Sequence, residues 1–76
     1  MKHETILVIG ANGQIGTALL PRLQTMYGFG NVIATDIRQT GHEEAIFEVL
    51  DATNVTALAD IVQRHRVTQI YILAAV

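Results

Sequence analysis

Short, almost purely apolar runs alternate along this chain with longer segments in which apolar residues recur every three or four positions. The short runs cover residues 5–9, 31–35, 45–49 or 45–50, and 69–73, and each predicts a β-strand. The first run, residues 5–9, has no polar alternation, which is typical of a parallel strand covered by helices on both faces. The polar residues 39–44 predict a loop before the third strand.

The first longer segment predicts a helix over about residues 13–27. Pro21 lies well round the helix from the apolar stripe, so we expect an outward kink rather than a break. Gly28 and Gly30 are expected to end the helix. The stripe, at helical spacing, consists of Ile15, Leu19, Leu23 and Met26.

The second longer segment predicts a helix that begins near Thr53 or Asn54, either of which could cap it. It closes near Arg64-His65-Arg66, where the negative end of the helix dipole favours cations. Its apolar stripe consists of Val55, Leu58, Ile61 and Val62.

The predicted elements follow one another in the order βαββαβ, which fits one half of a doubly wound parallel α/β sheet with strand order 3-2-1-4. Right-handed crossovers would then place the two helices on opposite faces of the sheet. Ligands of such sheets bind where the strand order reverses, at the carboxyl ends of the strands. The residues at these four ends are Gly10, Asp36, Asp51 and Leu73.

The first strand leads directly into the segment Gly10-Ala11-Asn12-Gly13-Gln14-Ile15-Gly16. Gly10 ends the strand at a sharp turn, Gly13 allows phosphate oxygens to approach the backbone, and Gly16 allows the helix to lie close to the strand. The helix N-terminus offers free N–H groups and the positive end of its dipole to a pyrophosphate. The alternative is a tight turn without a ligand. Because a strand precedes the motif and a helix follows it, we predict a partial Rossmann-type dinucleotide-binding fold.

Asp36 lies twenty residues past Gly16, at the end of the second strand. A carboxylate at this position would accept hydrogen bonds from the adenosine ribose and repel the additional phosphate of NADP, which favours NAD as the cofactor. Arg38 offers the opposite possibility, since an arginine nearby could accommodate a 2′-phosphate. Asp36 could also simply begin a loop.

Two further strand ends carry candidate cofactor contacts. Asp51 could accept a hydrogen bond from the adenine amino group, with Ala52 supplying backbone contacts, or it could simply cap the turn into the second helix. Ala74 and Ala75 are small, as residues beneath a cofactor must be, although small core residues would look the same.

Composition excludes several classes of function. The chain has 76 residues, of which 50% are hydrophobic and 16% charged, and a net charge of −2, which argues against non-specific nucleic-acid binding. It has no cysteine, which excludes a disulfide framework and a thiolate metal site. The apolar run near the N-terminus is too short for a signal peptide or a membrane span, so a cytoplasmic protein is the default expectation.

No catalytic or metal-binding constellation is predicted within these residues. His3, His42 and His65 lie far apart in the chain, without metal-ligand spacing or an adjacent nucleophile. Tyr71 has Ala75, rather than a lysine, four residues further on. Tyr27 and Tyr71 are expected to be packing or edge residues rather than acid catalysts.

These motifs together resemble the extended short-chain dehydrogenase/reductases, the NAD-dependent epimerase/dehydratase group. The resemblance rests on Gly10-x-x-Gly13-x-x-Gly16, Asp36, Asp51 and Leu73-Ala74-Ala75. Finer features, among them Gln14-Ile15 and Asp36-Ile37-Arg38, look like the short-chain L-threonine 3-dehydrogenase branch. One departure is Asn54, where many extended members repeat an aspartate.

The resemblance implies roles for individual residues. Gly13, Gln14 and Ile15 would contact the pyrophosphate, and the segment Asp36-Ile37-Arg38 the adenosine ribose. Asp51 and Ala52 would hold adenine, and Leu73-Ala74-Ala75 would line the nicotinamide side.

The family's catalytic tyrosine and lysine, spaced four apart, would lie beyond Val76, so the chain resembles the N-terminal cofactor-binding piece of a longer enzyme. The resemblance implies oxidation of L-threonine by NAD to 2-amino-3-oxobutanoate in that enzyme, and no activity in this chain by itself. A nucleotide-sugar epimerase or dehydratase and a non-catalytic nucleotide-binding module remain as alternatives. The fourth strand would be an apolar edge, so we expect strands one and four to leave apolar area uncovered. We therefore expect the chain to associate through strand four, to swap elements with a copy of itself, or to be part of a longer polypeptide.

Overall fold

The computed structural model describes residues 4–38 and 45–73. Its elements are β1 (Ile6–Ile9), α1 (Gln14–Tyr27), a single 3-10 turn (Phe29–Asn31), β2 (Val32–Asp36), β3 (Ile46–Val49), α2 (Val55–His65) and β4 (Gln69–Ile72). Every predicted helix and strand is present, with bounds shifted by one or two residues. The second strand begins one residue later than expected because Asn31 belongs to the 3-10 turn. The predicted loop at 39–44 and the residues Ala74 and Ala75 lie outside the described residues.

The four strands form one parallel sheet in the order β3-β2-β1-β4, which confirms the predicted topology. β1 lies between β2 and β4, so that Val8 is aligned with Ala34 on one side and with Tyr71 on the other. Since all strands are parallel, their carboxyl ends meet at one edge of the sheet. This arrangement brings the loops that follow β1, β2 and β3 together.

The two helices cover opposite faces of the sheet, as right-handed crossovers require. On one face Ile6 and Val8 pack with Leu20 and Leu23 of α1. On the other face Leu7 and Ile9 lie in the same cluster as Ile61 of α2. Tyr27 and Tyr71 pack against the α1 side of the core, as predicted.

The predicted apolar stripe of α1 is only partly correct. The buried residues are Gly16, Leu20, Leu23 and Gln24, whereas Ile15 and Met26 are 66% and 69% exposed. Ile15 lies about 140° round the helix from Leu20 at 100° per residue. The close contact of Gly16 with the preceding turn sets this rotation of the helix, and spacing alone does not reveal it.

Pro21 is exposed and α1 continues through it without a break, as predicted.

In α2, Asn54 is the N-cap, because its Oδ1 accepts from the Ala57 N–H at 3.0 Å. The predicted stripe of α2 is wrong at Val55, which is 74% exposed. Val55 lies about 120° round the helix from the buried Ile61.

The sheet exposes apolar side chains at its two edges. Ile72 of β4 is 70% exposed and Val49 of β3 is 62% exposed. The expectation that β1 would also expose apolar area is wrong: its four residues are at most 3% exposed, because strands flank it on both sides and a helix covers each face. No helix within residues 4–38 and 45–73 is long and apolar enough to cross a membrane.

Candidate functional site

An open crevice of about 560 Å³ lies at the carboxyl ends of the strands, between the turn after β1 and the loops after β2 and β3. Nine of the thirteen predicted cofactor-binding residues line it. These nine are Gly10, Gly13, Gln14, Ile15, Asp36, Ile37, Asp51, Ala52 and Leu73. Thr53 also lines the crevice and was not predicted as a site residue. The chain's topology therefore brings residues from four separate segments into one cleft.

The turn after β1 is held against the end of β2. The N–H groups of Gly10 and Ala11 both donate to the Thr35 carbonyl oxygen, each at 3.0 Å. Gly10 has φ 91°, a left-handed conformation that favours glycine. These contacts fix the turn directly beneath the start of α1.

Gly13 and Gly16 differ in what the surrounding chain requires of them. A Cβ on Gly16 would lie 2.7 Å from the Ala11 carbonyl oxygen, so Gly16 is needed for helix packing, as predicted. A Cβ on Gly13 would meet only the Gly10 carbonyl oxygen, at an ordinary 3.6 Å. Gly13 also has φ −71° and is exposed, so nothing in the described chain demands a glycine there. Its small size leaves the backbone here open to a group that approaches from outside.

The N-terminus of α1 faces this crevice through Gly13, Gln14 and Ile15. Gly13 is the N-cap and provides no side-chain cap, and the first turn of the helix contains no acidic residue. The first backbone N–H groups of a helix have no partner within the helix, and the helix dipole makes this end positive. The site can therefore bind an anion with backbone donors.

Asp36 lies at the end of β2 and is half-buried. Its Oδ2 accepts from the Asn12 N–H at 2.9 Å, and its Oδ1 accepts from the Ile37 N–H at 2.8 Å. Each carboxylate oxygen has a further lone pair available to a hydroxyl group in the crevice. The carboxylate is thus oriented by the backbone and still able to accept from a ligand.

Asp51 has a turn role in addition to its place in the crevice. Its Oδ1 accepts from the Thr53 N–H at 2.9 Å and from the Thr53 Oγ1 hydroxyl at 2.6 Å. These two bonds from Thr53 lower the pKa of the Asp51 carboxyl. The turn interpretation of Asp51 is confirmed, and the same carboxylate lines the crevice.

Gly16 and Arg38 do not line the crevice. Gly16 is buried beneath the turn, and Arg38 is exposed at the start of the loop after β2.

Asn12 was not predicted as a site residue, yet its side chain joins the glycine turn to the loop after β2. Its Nδ2 donates to the Arg38 carbonyl oxygen at 2.7 Å. Asparagine is common in tight turns, so its type gave no signal of this contact.

Within residues 4–38 and 45–73 no group of three or more His, Cys, Asp or Glu side chains could hold a metal ion. Of the three histidines, His65 lies within these residues, and its Nε2 contacts Glu48 Oε2. Arg64 also pairs with Glu48, at 2.6 Å, and with Asp60, at 2.7 Å. This ion-pair cluster joins α2 to β3 and is separate from the residues that line the crevice.

Comparison with known proteins agrees with this geometry. The chain is 41% identical over 76 residues to an uncharacterized epimerase/dehydratase of Staphylococcus haemolyticus, a match over 95% of this chain and 24% of that protein. Its fold matches the structure of L-threonine dehydrogenase from Clostridium difficile with a TM-score of 0.91 and 36% identity, over 100% of this chain and 25% of that one.

A GalE-like L-threonine dehydrogenase from Cupriavidus necator, solved in its holo form, matches with a TM-score of 0.89 and 48% identity, over 95% of this chain and 24% of that one. The chain therefore spans about a quarter of the length of these relatives. The sequence model of the NAD dependent epimerase/dehydratase family matches residues 6–76. This match covers nearly the whole chain, and the chain belongs to the NAD-dependent epimerase/dehydratase family.

Proposed function

We propose that residues 1–76 are the N-terminal part of a Rossmann domain and that their crevice binds NAD. The observation that carries this proposal is Gly13. It is exposed, has a conformation open to any residue and leaves room for a Cβ, yet it stands at the uncapped N-terminus of α1. A glycine without an internal role is explained by a ligand that comes close to the backbone, as a pyrophosphate does.

The binding roles follow the order of the loops along the crevice. The backbone N–H groups of Gln14 and Ile15 would hold the pyrophosphate. Gly13, whose N–H donates to the Gly10 carbonyl oxygen at 3.3 Å, would contact it by leaving room for close approach to the backbone. Asp36 would accept hydrogen bonds from the adenosine ribose and, by its charge, disfavour a 2′-phosphate; Ile37 and Arg38 would flank this sugar.

The remaining predicted residues would contact the two ends of the cofactor. Asp51 and Ala52 would contact adenine, in the part of the crevice that also contains Thr53. Leu73, with Ala74 and Ala75 after it in the chain, would lie toward the nicotinamide. When bound, NAD would accept a hydride from the substrate. The described residues would only bind and orient it.

The reaction of the whole protein is a second part of the proposal. We infer that it oxidises L-threonine with NAD, giving 2-amino-3-oxobutanoate and NADH. The two threonine dehydrogenases support this inference because they match at 36% and 48% identity with nearly identical folds. The substrate and the group that removes its hydroxyl proton would be held by chain beyond residue 76.

One observation favours a second candidate, a nucleotide-sugar epimerase or dehydratase. The relative from Staphylococcus haemolyticus, at 41% identity, bears the name epimerase/dehydratase. The two candidates share the cofactor half and differ in the substrate half.

A pair of assays on the complete protein that contains this chain tests the proposal. With L-threonine and NAD we expect NADH to accumulate, and with UDP-sugars we expect no turnover. Conversion of a UDP-sugar without L-threonine oxidation would favour the second candidate. The 76-residue chain by itself should form no NADH, and NADH formation by it would contradict the assignment of catalysis to chain outside these residues.

A further inference from the structure

We propose that Asn12 is a positioning residue for cofactor specificity, whose side chain holds the loop after β2 in the arrangement that prefers NAD over NADP. This inference rests on the proposed dinucleotide site. Asn12 lies in the glycine turn, between Gly10 and Gly13, and is half-buried. Its side chain reaches from the predicted pyrophosphate loop to the predicted ribose loop.

Hydrogen bonds of two kinds join Asn12 to the loop after β2. The backbone N–H of Asn12 donates to Asp36 Oδ2 at 2.9 Å, and any residue other than proline at position 12 could make this bond. The side-chain Nδ2 donates to the Arg38 carbonyl oxygen at 2.7 Å. Only the second bond depends on the identity of residue 12, so the specific contribution of asparagine is to hold the backbone at Arg38.

The bond to Arg38 leaves the other end of the Asn12 side-chain amide without a partner among the described residues. Since the Arg38 carbonyl oxygen can only accept, the amide nitrogen must face it, and this fixes the orientation of the Asn12 side chain. Its Oδ1 is then buried with no hydrogen-bond partner among the described residues. A buried acceptor without a partner destabilises the folded chain. A smaller turn residue such as serine would avoid this cost, and it would also leave the Arg38 carbonyl unheld.

The segment that Asn12 holds carries two charges with opposite effects on a 2′-phosphate. Asp36 repels that phosphate, and Arg38 attracts it. With the Arg38 carbonyl held, the backbone from Asp36 to Arg38 is fixed at both ends, because the Leu50 N–H donates to the Asp36 carbonyl oxygen at 2.8 Å. Release of the Arg38 carbonyl would leave the Asp36 carboxylate held by the two backbone N–H groups but would free the Arg38 guanidinium to reach a 2′-phosphate.

Titration calorimetry of NAD and NADP with the complete protein that contains this chain and with its Asn12→Ala and Asn12→Ser variants tests this role. Asn31→Ala is a matched control, because Asn31 Nδ2 donates to the Tyr27 carbonyl oxygen at the same 2.7 Å but adjoins the amino end of β2. Loss of one hydrogen bond predicts a fall of about fivefold in the ratio of the NADP to the NAD dissociation constant for both Asn12 variants. The ratio should be unchanged in Asn31→Ala.

The outcomes separate this inference from the proposed function. Complete wild-type protein that binds NAD, with the same selectivity ratio in all three variants, would overturn the role of Asn12 alone. Complete wild-type protein that binds neither dinucleotide would overturn the proposed site and the role of Asn12 with it.

A second measurement distinguishes positioning from a general structural effect. In an Arg38→Ala background, which keeps the carbonyl oxygen that Asn12 holds, the Asn12→Ala substitution should change the ratio little, since it would act through that guanidinium. A full, additive effect in that background would contradict the inference.

Discussion

Gly16 packs so closely beneath Ala11 that a Cβ on Gly16 would lie 2.7 Å from the Ala11 carbonyl oxygen. The neighbouring atoms on this side are backbone, which cannot rotate away as a flexible side chain could. This contact joins the start of α1 to the end of β1 and sets which face of α1 meets the sheet.

Gly16→Ala should therefore destabilise the fold. We expect the free energy of unfolding to fall by about 1–3 kcal/mol, the usual cost of overpacking a close contact. Urea denaturation followed by circular dichroism measures it. Gly30→Ala is the control, since nothing lies within 4 Å of its Cβ position, and its effect should be about 0.5 kcal/mol or less. Equal stability of the two variants would contradict this account of α1 packing.

Gly13→Val should change stability little and should instead prevent NAD binding. Its effect on unfolding should be no more than about 1 kcal/mol, in the range of N-cap substitutions, because a Cβ there meets only an ordinary 3.6 Å contact. The added side chain would stand where the pyrophosphate approaches the backbone, so NAD binding should be abolished. Calorimetry with NAD measures it. Unchanged NAD affinity in a folded Gly13→Val chain would remove the main support for the site.

The sequence predicts the strands and the residues at their ends, but not the rotation of α1. The apolar run of β1 and the strand-end positions of Asp36 and Asp51 follow from the sequence pattern alone. The structure places both aspartates in one crevice. The rotation of α1 could not be read in this way. Ile15 and Leu23 have helical spacing, but the backbone contact of Gly16 turns Ile15 outward and buries the polar Gln24.

The side-chain bond of Asn12 was also beyond the sequence. It joins residues 26 positions apart through a carbonyl group, and every residue carries a carbonyl group. The ion pairs of Glu48 with Arg64 and His65 could not be predicted either. The helix dipole already accounts for basic residues at the end of α2, so their presence did not indicate a partner on β3.

Stability should depend on pH through Glu48. The hydrogen bond from Arg64, opposed in part by burial and reinforced by His65, lowers the pKa of Glu48 below its ordinary value of 4.5. A lowered pKa in the folded state gives stability that is present above pH 4.5 and is lost as the pH falls through the folded-state pKa.

Glu48→Gln should remove this contribution. Because Arg64 is about half exposed, we expect a loss of about 1 kcal/mol at neutral pH, shrinking toward zero in acid. Denaturation of wild type and Glu48→Gln across this pH range measures it. Asp60→Asn, which removes only the more exposed partner of Arg64, should have a smaller effect. A difference between wild type and Glu48→Gln that persists unchanged in acid would exclude the ion pair as its cause.

The exposed edge at β4 should drive self-association of the 76-residue chain. Ile72 is 70% exposed and Ile70 is 46% exposed on a strand whose outer side is unpaired within the described sheet. Such an edge is a template for pairing with another strand. Ile72→Lys should lower the association measured by sedimentation, whereas Met26→Lys, at a similarly exposed position on α1, should not. A stable wild-type monomer at high concentration would contradict this prediction.

The central claim is that the crevice binds a dinucleotide and that Asp36 selects NAD. Asp36 is oriented by two backbone N–H groups at 2.8 and 2.9 Å, and a 2′-phosphate at the ribose would face its negative charge. The most direct test is calorimetric titration of the complete wild-type protein that contains this chain, with NAD and with NADP under the same conditions. The account predicts tighter binding of NAD. Tighter binding of NADP would contradict the role of Asp36 and make Arg38 the determining residue, and binding of neither would contradict the site itself.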